Sequence, residues 1–180
     1  MSVVASKRGL SDMEFWKNID QISREIRNIV GRDFCIKPRT REPENLAKVY
    51  KMSEADREII VDICQKYQIC QIEETYPAWK LERYRNRLMD LVSGIKADIR
   101  AANDVYPYYW EEYIDRRRYQ DEAIRKCGML YDEFTDIKRD LPIKAEKYMS
   151  LVEKIENERK LLKGWRKSDN HIAKRLKAKK

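Results

Sequence analysis

A chain of 180 residues suffices for one domain, or one domain with an appendage, and its 39% charged residues with only five glycines and five prolines disfavour a turn-rich strand fold. The single histidine, His171, excludes most Ser-His-Asp, Cys-His and His-ligated metal chemistry, while 42% apolar residues exclude wholesale disorder. The formal charge of +8 belongs to the C-terminal end: residues 159–180 carry ten Lys/Arg against one acid, whereas residues 1–158 carry 29 against 30.

Residues 1–10 contain Lys7 and Arg8 with no apolar stretch after them, and no apolar run approaches the ~18 residues of a membrane span, so a cytoplasmic protein is expected. Ser11 and Glu14 form a capping-box pattern that predicts a first helix, with Phe15, Ile19, Ile22, Ile26, Ile29 and Val30 on one face and Gly31 as its stop. Residues 32–52, with Pro38 and Pro43, read as a long connection carrying a helical turn near 45–50. Ser53 and Asp56 start a second helix whose face is Ile60, Ile63, Cys64, Tyr67 and Cys70, closed by Pro77. A third carries Leu81, Tyr84, Leu88, Leu91, Ile95 and Ile99 at alternating three- and four-residue spacing, the pattern of a bundle seam.

A fourth helix spans about 109–140, with Trp110, Tyr113, Ile124, Cys127, Tyr131, Phe134 and Ile137 inward, and Pro142 breaks it. A fifth follows with Tyr148, Leu151, Val152, Ile155, Leu162 and Trp165, and Ser168 is placed to cap a short helix over 171–177. The fold class is therefore all-α: an antiparallel four-helix bundle with an extra N-terminal helix and a basic C-terminal tail. Its divisions are 1–52 (first helix and connection), 53–166 (bundle core) and 167–180 (tail). Which N-terminal helix completes the bundle stays open.

Cys35, Cys64, Cys70 and Cys127 have no metal-type spacing and read as small buried hydrophobes of a reducing compartment. No phosphate-binding glycine loop, HExxH or nucleophile elbow is present, and no cofactor is expected. The carboxylate pairs Glu111 with Asp115 and Glu153 with Glu156 have no accompanying base and read as solvated faces. Arg116, Arg117 and Arg118 occupy consecutive positions that fan around a helix, so at least two of them face solvent or a polyanion, or pair with Asp115, Asp121 and Glu122. Around them crowd Tyr106, Tyr108, Tyr109, Trp110, Tyr113 and Tyr119, a set that can stack bases but more often seals a bundle end or an oligomer contact. A cationic end on a near-neutral body suits nucleic acid, because neutralising phosphates releases counterions.

The runs Tyr113-Ile-Asp-Arg-Arg-Arg-Tyr-Gln-Asp-Glu-Ala-Ile-Arg-Lys-Cys127, Lys147-Tyr-Met-Ser-Leu-Val-Glu-Lys-Ile-Glu and Leu161-Leu-Lys-Gly-Trp-Arg-Lys-Ser-Asp-Asn170 resemble the accessory variability determinant proteins of diversity-generating retroelements. These are relatives of the bundle proteins encoded in ribosomal RNA intervening sequences. The opening Met1-Ser-Val and Ser6-Lys-Arg-Gly9 are similar to the start of some members, and the resemblance covers about 78–170. It implies a non-enzymatic four-helix bundle, assembled as a homo-oligomer, a pentamer, that binds the element's reverse transcriptase and structured template RNA or RNA–cDNA hybrid in support of mutagenic cDNA synthesis. It carries no catalytic residues over. The basic positions inside the matched segments, Arg116, Arg117, Arg118, Lys163, Arg166 and Lys167, are the expected phosphate contacts, and Lys174, Arg175 and Lys177 join them by charge. The other reading is an oligomeric bundle of the intervening-sequence type, structural or RNA-binding, with no polymerase partner.

Overall fold

The computed structural model describes residues 9–32, 34, 36, 39–41, 51–69, 72–74, 77–141, 143–144 and 146–178. Among these the chain is overwhelmingly helical. A 3-10 turn (Leu10–Asp12) leads into α1 (Glu14–Val30), followed by β1 (Arg39–Arg41), α2 (Glu54–Lys66), β2 (Ile72–Glu74), α3 (Ala78–Asp104), α4 (Trp110–Asp140), α5 (Glu146–Ser168) and α6 (Asn170–Lys177). Two compact units result, one of Met1–Cys35 with Arg83–Lys180, the other of Ile36–Glu82.

The smaller unit holds β1 and β2, which pair antiparallel with Thr40 opposite Glu73, and α2. Ser53 caps α2 as its sequence predicts, its hydroxyl accepting from the Asp56 amide at 3.2 Å. The predicted buried face of that helix is corrected: Cys64 is buried, but Ile63 is 48% exposed and Tyr67 65%. The expected turn near 45–50 and Cys70 lie outside the described residues.

The larger unit draws its core from α1, α3, α4 and α5. On α1 the predicted three- and four-residue spacing holds, with Phe15, Ile19, Ile22, Ile26 and Val30 buried and Ser23 closing the same face. The division places α1 in the larger unit with most of α3 and all of α4 and α5, and α2 in the smaller unit. The expected division into 1–52 and a 53–166 core is corrected accordingly. Ser11 does not cap α1; it lies in the 3-10 turn, and Met13 takes the N-cap position without a side-chain bond.

Cross-helix partners fix how these helices meet. Lys96 donates to Asp20 at 2.8 Å and, with Arg100, lies over the Trp16 ring, so α3 descends as α1 rises. That lysine holds the Asp20 carboxyl below its ordinary range. Between α1 and α5 the partners are Phe15 with Trp165, stacked at 4.6 Å, then Asn18 with Glu158, then Glu25 with Lys154. Between α3 and α4 they are Asp98 with Lys126 at 2.7 Å, Arg87 with Glu133 at 3.7 Å and Tyr84 with Asp140 at 2.6 Å. Gly94 leaves room for the Lys126 stem, since a Cβ there would meet its Nζ at 3.2 Å. Burial first, and then the hydrogen bond that the Tyr84 hydroxyl donates to the Asp140 carboxylate, push that hydroxyl up to about 12.

The predicted seam of α3 is buried at Leu88, Leu91, Ile95 and Ile99. On α4, Tyr113, Cys127, Phe134 and Ile137 face inward as predicted, but Tyr131 is 39% exposed and Ile124 half-buried, while Ala123 and Leu130 fill the interior instead. No helix among the described residues is long and apolar enough to cross a membrane.

Candidate nucleic-acid interface

The C-terminal half of α5 separates two faces. Ile155, Glu158 and Leu162 are buried, and Trp165 lies half-buried over Phe15. Lys160, Lys163 and Lys167 recur at three and four residues on the opposite side, where all three are exposed. At the end of α5 the Ser168 hydroxyl donates to the Trp165 carbonyl at 2.7 Å, so it closes α5 rather than capping α6. Asp169 takes the N-cap position of α6, yet its carboxylate turns into the core.

That carboxylate organises the corner. Arg116 Nε donates to it at 2.7 Å and Gln120 Nε2 at 2.8 Å. Arg116 Nη1 donates at 2.6 Å to the Ala102 carbonyl and at 3.0 Å to that of Val105, so one guanidinium satisfies the C-terminal end of α3 and the start of α6 together. The guanidinium also lies over the Trp165 ring, 5.1 Å from its centroid. At 8% exposure with these acceptors filled, Arg116 is a core residue. Its expected role as a phosphate contact is corrected.

The other expected contacts divide by what already holds them. Arg117 is half-buried, donating to the Arg166 carbonyl and, at 3.1 Å, to Asn170 Oδ1. Arg166 pairs with Asp121, and exposed Arg118 with Asp115 at 3.3 Å. Such exposed pairs contribute little to stability, and a phosphate can replace the carboxylate. Lys163, Lys167 and Lys174 are exposed and make no ion pair with any described residue, and Lys160, which is absent from the expected set, shares that state. Its signal was the 160, 163, 167 spacing.

The expected tail is helical. Ile172 and Leu176, one turn apart on α6, are buried against Tyr113, with Trp110 and Ala173 beside them. Docking this face turns Lys174 outward, brings Arg175 Nη2 to 3.2 Å from the Pro107 carbonyl, and sets Lys177 Nζ 5.5 Å from the Trp110 centroid. Much of the aromatic crowding near 106–119 is thus consumed within the chain. An eight-residue helix is not stable alone, so its order depends on that contact. Leu176→Ala is expected to remove about 2 kcal/mol or more of docking energy. In hydrogen exchange, the amides of α6 should then lose protection while those of α3, α4 and α5 keep theirs; unchanged protection in α6 would contradict the docking account.

Among the described residues, no cluster of three or more His, Cys, Asp or Glu side chains could hold a metal ion. Burial pushes the Cys127 thiol far up, away from thiolate reactivity. The fold and surface define a helical bundle with a cationic end built on α5 and α6. No protein-family model, curated protein or solved structure matches the chain.

Proposed function

We propose that this chain is a non-enzymatic accessory subunit of a diversity-generating retroelement. In this reading it is an antiparallel four-helix bundle of α1, α3, α4 and α5. It acts in the cytoplasm as a homo-oligomer, a pentameric ring, and holds structured template RNA or an RNA–cDNA hybrid for the element's reverse transcriptase. It contributes position and charge to mutagenic cDNA synthesis. The opposite running order of partners along α1 with α3, α1 with α5 and α3 with α4 supports the bundle topology. The resemblance over 78–170 supports the biological role.

The observation that carries nucleic-acid binding is the row Lys160, Lys163 and Lys167 on α5, with Lys174 on α6: exposed ammonium groups without an ion pair among the described residues, on a chain whose first 158 residues are nearly neutral. Phosphate contacts of this kind fix register without reading sequence, so the RNA fold and the polymerase supply specificity. Reversing Lys163, Lys167 and Lys174 to Glu should leave the helical circular dichroism unchanged. Affinity for structured RNA should fall about tenfold or more, with a flatter dependence on salt, as each lost phosphate contact lowers the log–log slope by about 0.7–0.9. Unchanged affinity and slope would make the row a solvated face. RNA binding without co-purification of the reverse transcriptase would favour the intervening-sequence type of bundle, and light scattering reads the ring.

A further inference from the structure

The loop between α3 and α4 presents two aromatic rings that the fold does not bury. Tyr108 is 67% exposed and Tyr109 70%. Their backbone is nevertheless fixed, because the Glu112 carboxylate accepts from the Tyr108 amide at 2.7 Å and the Tyr109 amide at 3.1 Å, which also satisfies donors at the start of α4. Tyr106 meets the Tyr108 ring edge-on, with centroids 4.7 Å apart. The rings are therefore held out from an anchored segment, at a hydration cost that folding alone does not require.

Cations lie along the same loop. Arg175 reaches the Pro107 carbonyl and Lys177 lies over Trp110, the residue after the pair. We propose that Tyr108 and Tyr109, flanked by Arg175 and Lys177 of α6, form a stacking site for unpaired bases of single-stranded RNA. The inference rests on the nucleic-acid reading above and deepens it by naming the form of RNA the site accepts. A ring with a neighbouring cation matches one nucleotide, base on the aromatic face and phosphate on the charge. A duplex keeps its base faces stacked inside the helix and offers this site only its ends. Tyrosine and arginine also suit a contact between protein copies, whereas the exposed Lys177 beside Trp110 suits a phosphate, and light scattering separates the two. The Glu112 carboxylate, which meets the loop backbone, is occupied by the two amides.

The test is fluorescence anisotropy with a labelled short oligouridine and with a blunt RNA duplex of equal length, on the full chain and on Tyr108→Ala/Tyr109→Ala. The alanine variant should lose between about fivefold and a hundredfold in affinity for oligouridine, with an unchanged salt slope because no charge is removed. Duplex affinity should not change, and Tyr108→Phe/Tyr109→Phe should retain binding to both probes. Equal losses on both probes, or no loss on oligouridine, would overturn the stacking site while leaving RNA binding intact. Binding of neither probe by the unmodified chain would overturn the nucleic-acid reading and the site with it. A change in oligomer mass of the alanine variant in light scattering would assign the rings to a contact between copies and overturn the proposal.

Discussion

Arg116→Ala is expected to destabilise the larger unit by about 3–5 kcal/mol, the cost of leaving a buried ion without its partner. The substitution leaves the Asp169 carboxylate, which is 5% exposed, with one remaining donor among the described residues, Gln120. It also frees the Ala102 and Val105 carbonyls at the end of α3 and removes the cation from the Trp165 ring. Lysine cannot substitute, since one ammonium does not reproduce a planar fork that reaches three acceptors on two sides. Urea denaturation reads the effect, and Arg116→Met combined with Asp169→Asn should recover much of the loss because neither charge is then left buried alone. If Arg116→Ala melted with the unmodified protein and instead weakened RNA binding, the arginine would be a surface contact after all.

The second large effect is a pH dependence centred on Glu158. This side chain is fully buried on α5, with Oε2 accepting from Asn18 at 2.8 Å and Oε1 without a hydrogen-bond partner among the described residues. Burial raises its pKa from 4.5 to about 8, against the opposing pull of the Asn18 hydrogen bond. Because the folded state holds the proton more tightly than the unfolded chain, the Glu158 contribution is most favourable below about 4.5 and is lost as pH rises through about 8. Each pH unit across that window costs about 1.4 kcal/mol, and the whole of it on the order of 4–5 kcal/mol. Glu158→Gln, neutral at every pH, should therefore match the unmodified protein near pH 4.5 and exceed its stability by several kcal/mol above pH 8. Parallel denaturation curves at both pH values, with no gain at the higher one, would remove Glu158 as the source.

These two residues mark where local pattern stops being informative. At 100° each, the spacing from Tyr113, Cys127 and Phe134 puts Arg116 or Arg117 rather than Arg118 toward the inward face, but it does not show which of the two is buried or what would pair with it. Asp169, far along the chain, and the carbonyl end of α3 make the selection. Glu158 falls on the buried face by its spacing from Ile155 and Leu162, but spacing does not show that its hydrogen bond would come from Asn18 of a distant helix. On α5 the spacing of Lys160, Lys163 and Lys167 opposite the buried face carries an outward signal, but the expected set took Lys163 and Lys167 from the resemblance and left Lys160 out.

The sequence by itself determined that the chain is helical, where α1, α3, α4 and α5 lie, and which side of α3 is the seam: spacing of Leu88, Leu91, Ile95 and Ile99 and the scarcity of glycine and proline act within one or two turns. Tertiary structure alone decided that α1 and not α2 completes the larger unit, and that the cationic terminus is a docked helix rather than a tail. Both outcomes turn on apolar area buried between elements remote in sequence. On α1 the buried Phe15 stacks on Trp165 of α5, and Ile172 with Leu176 gains order by covering Tyr113, so neither result is written in the local spacing of either element.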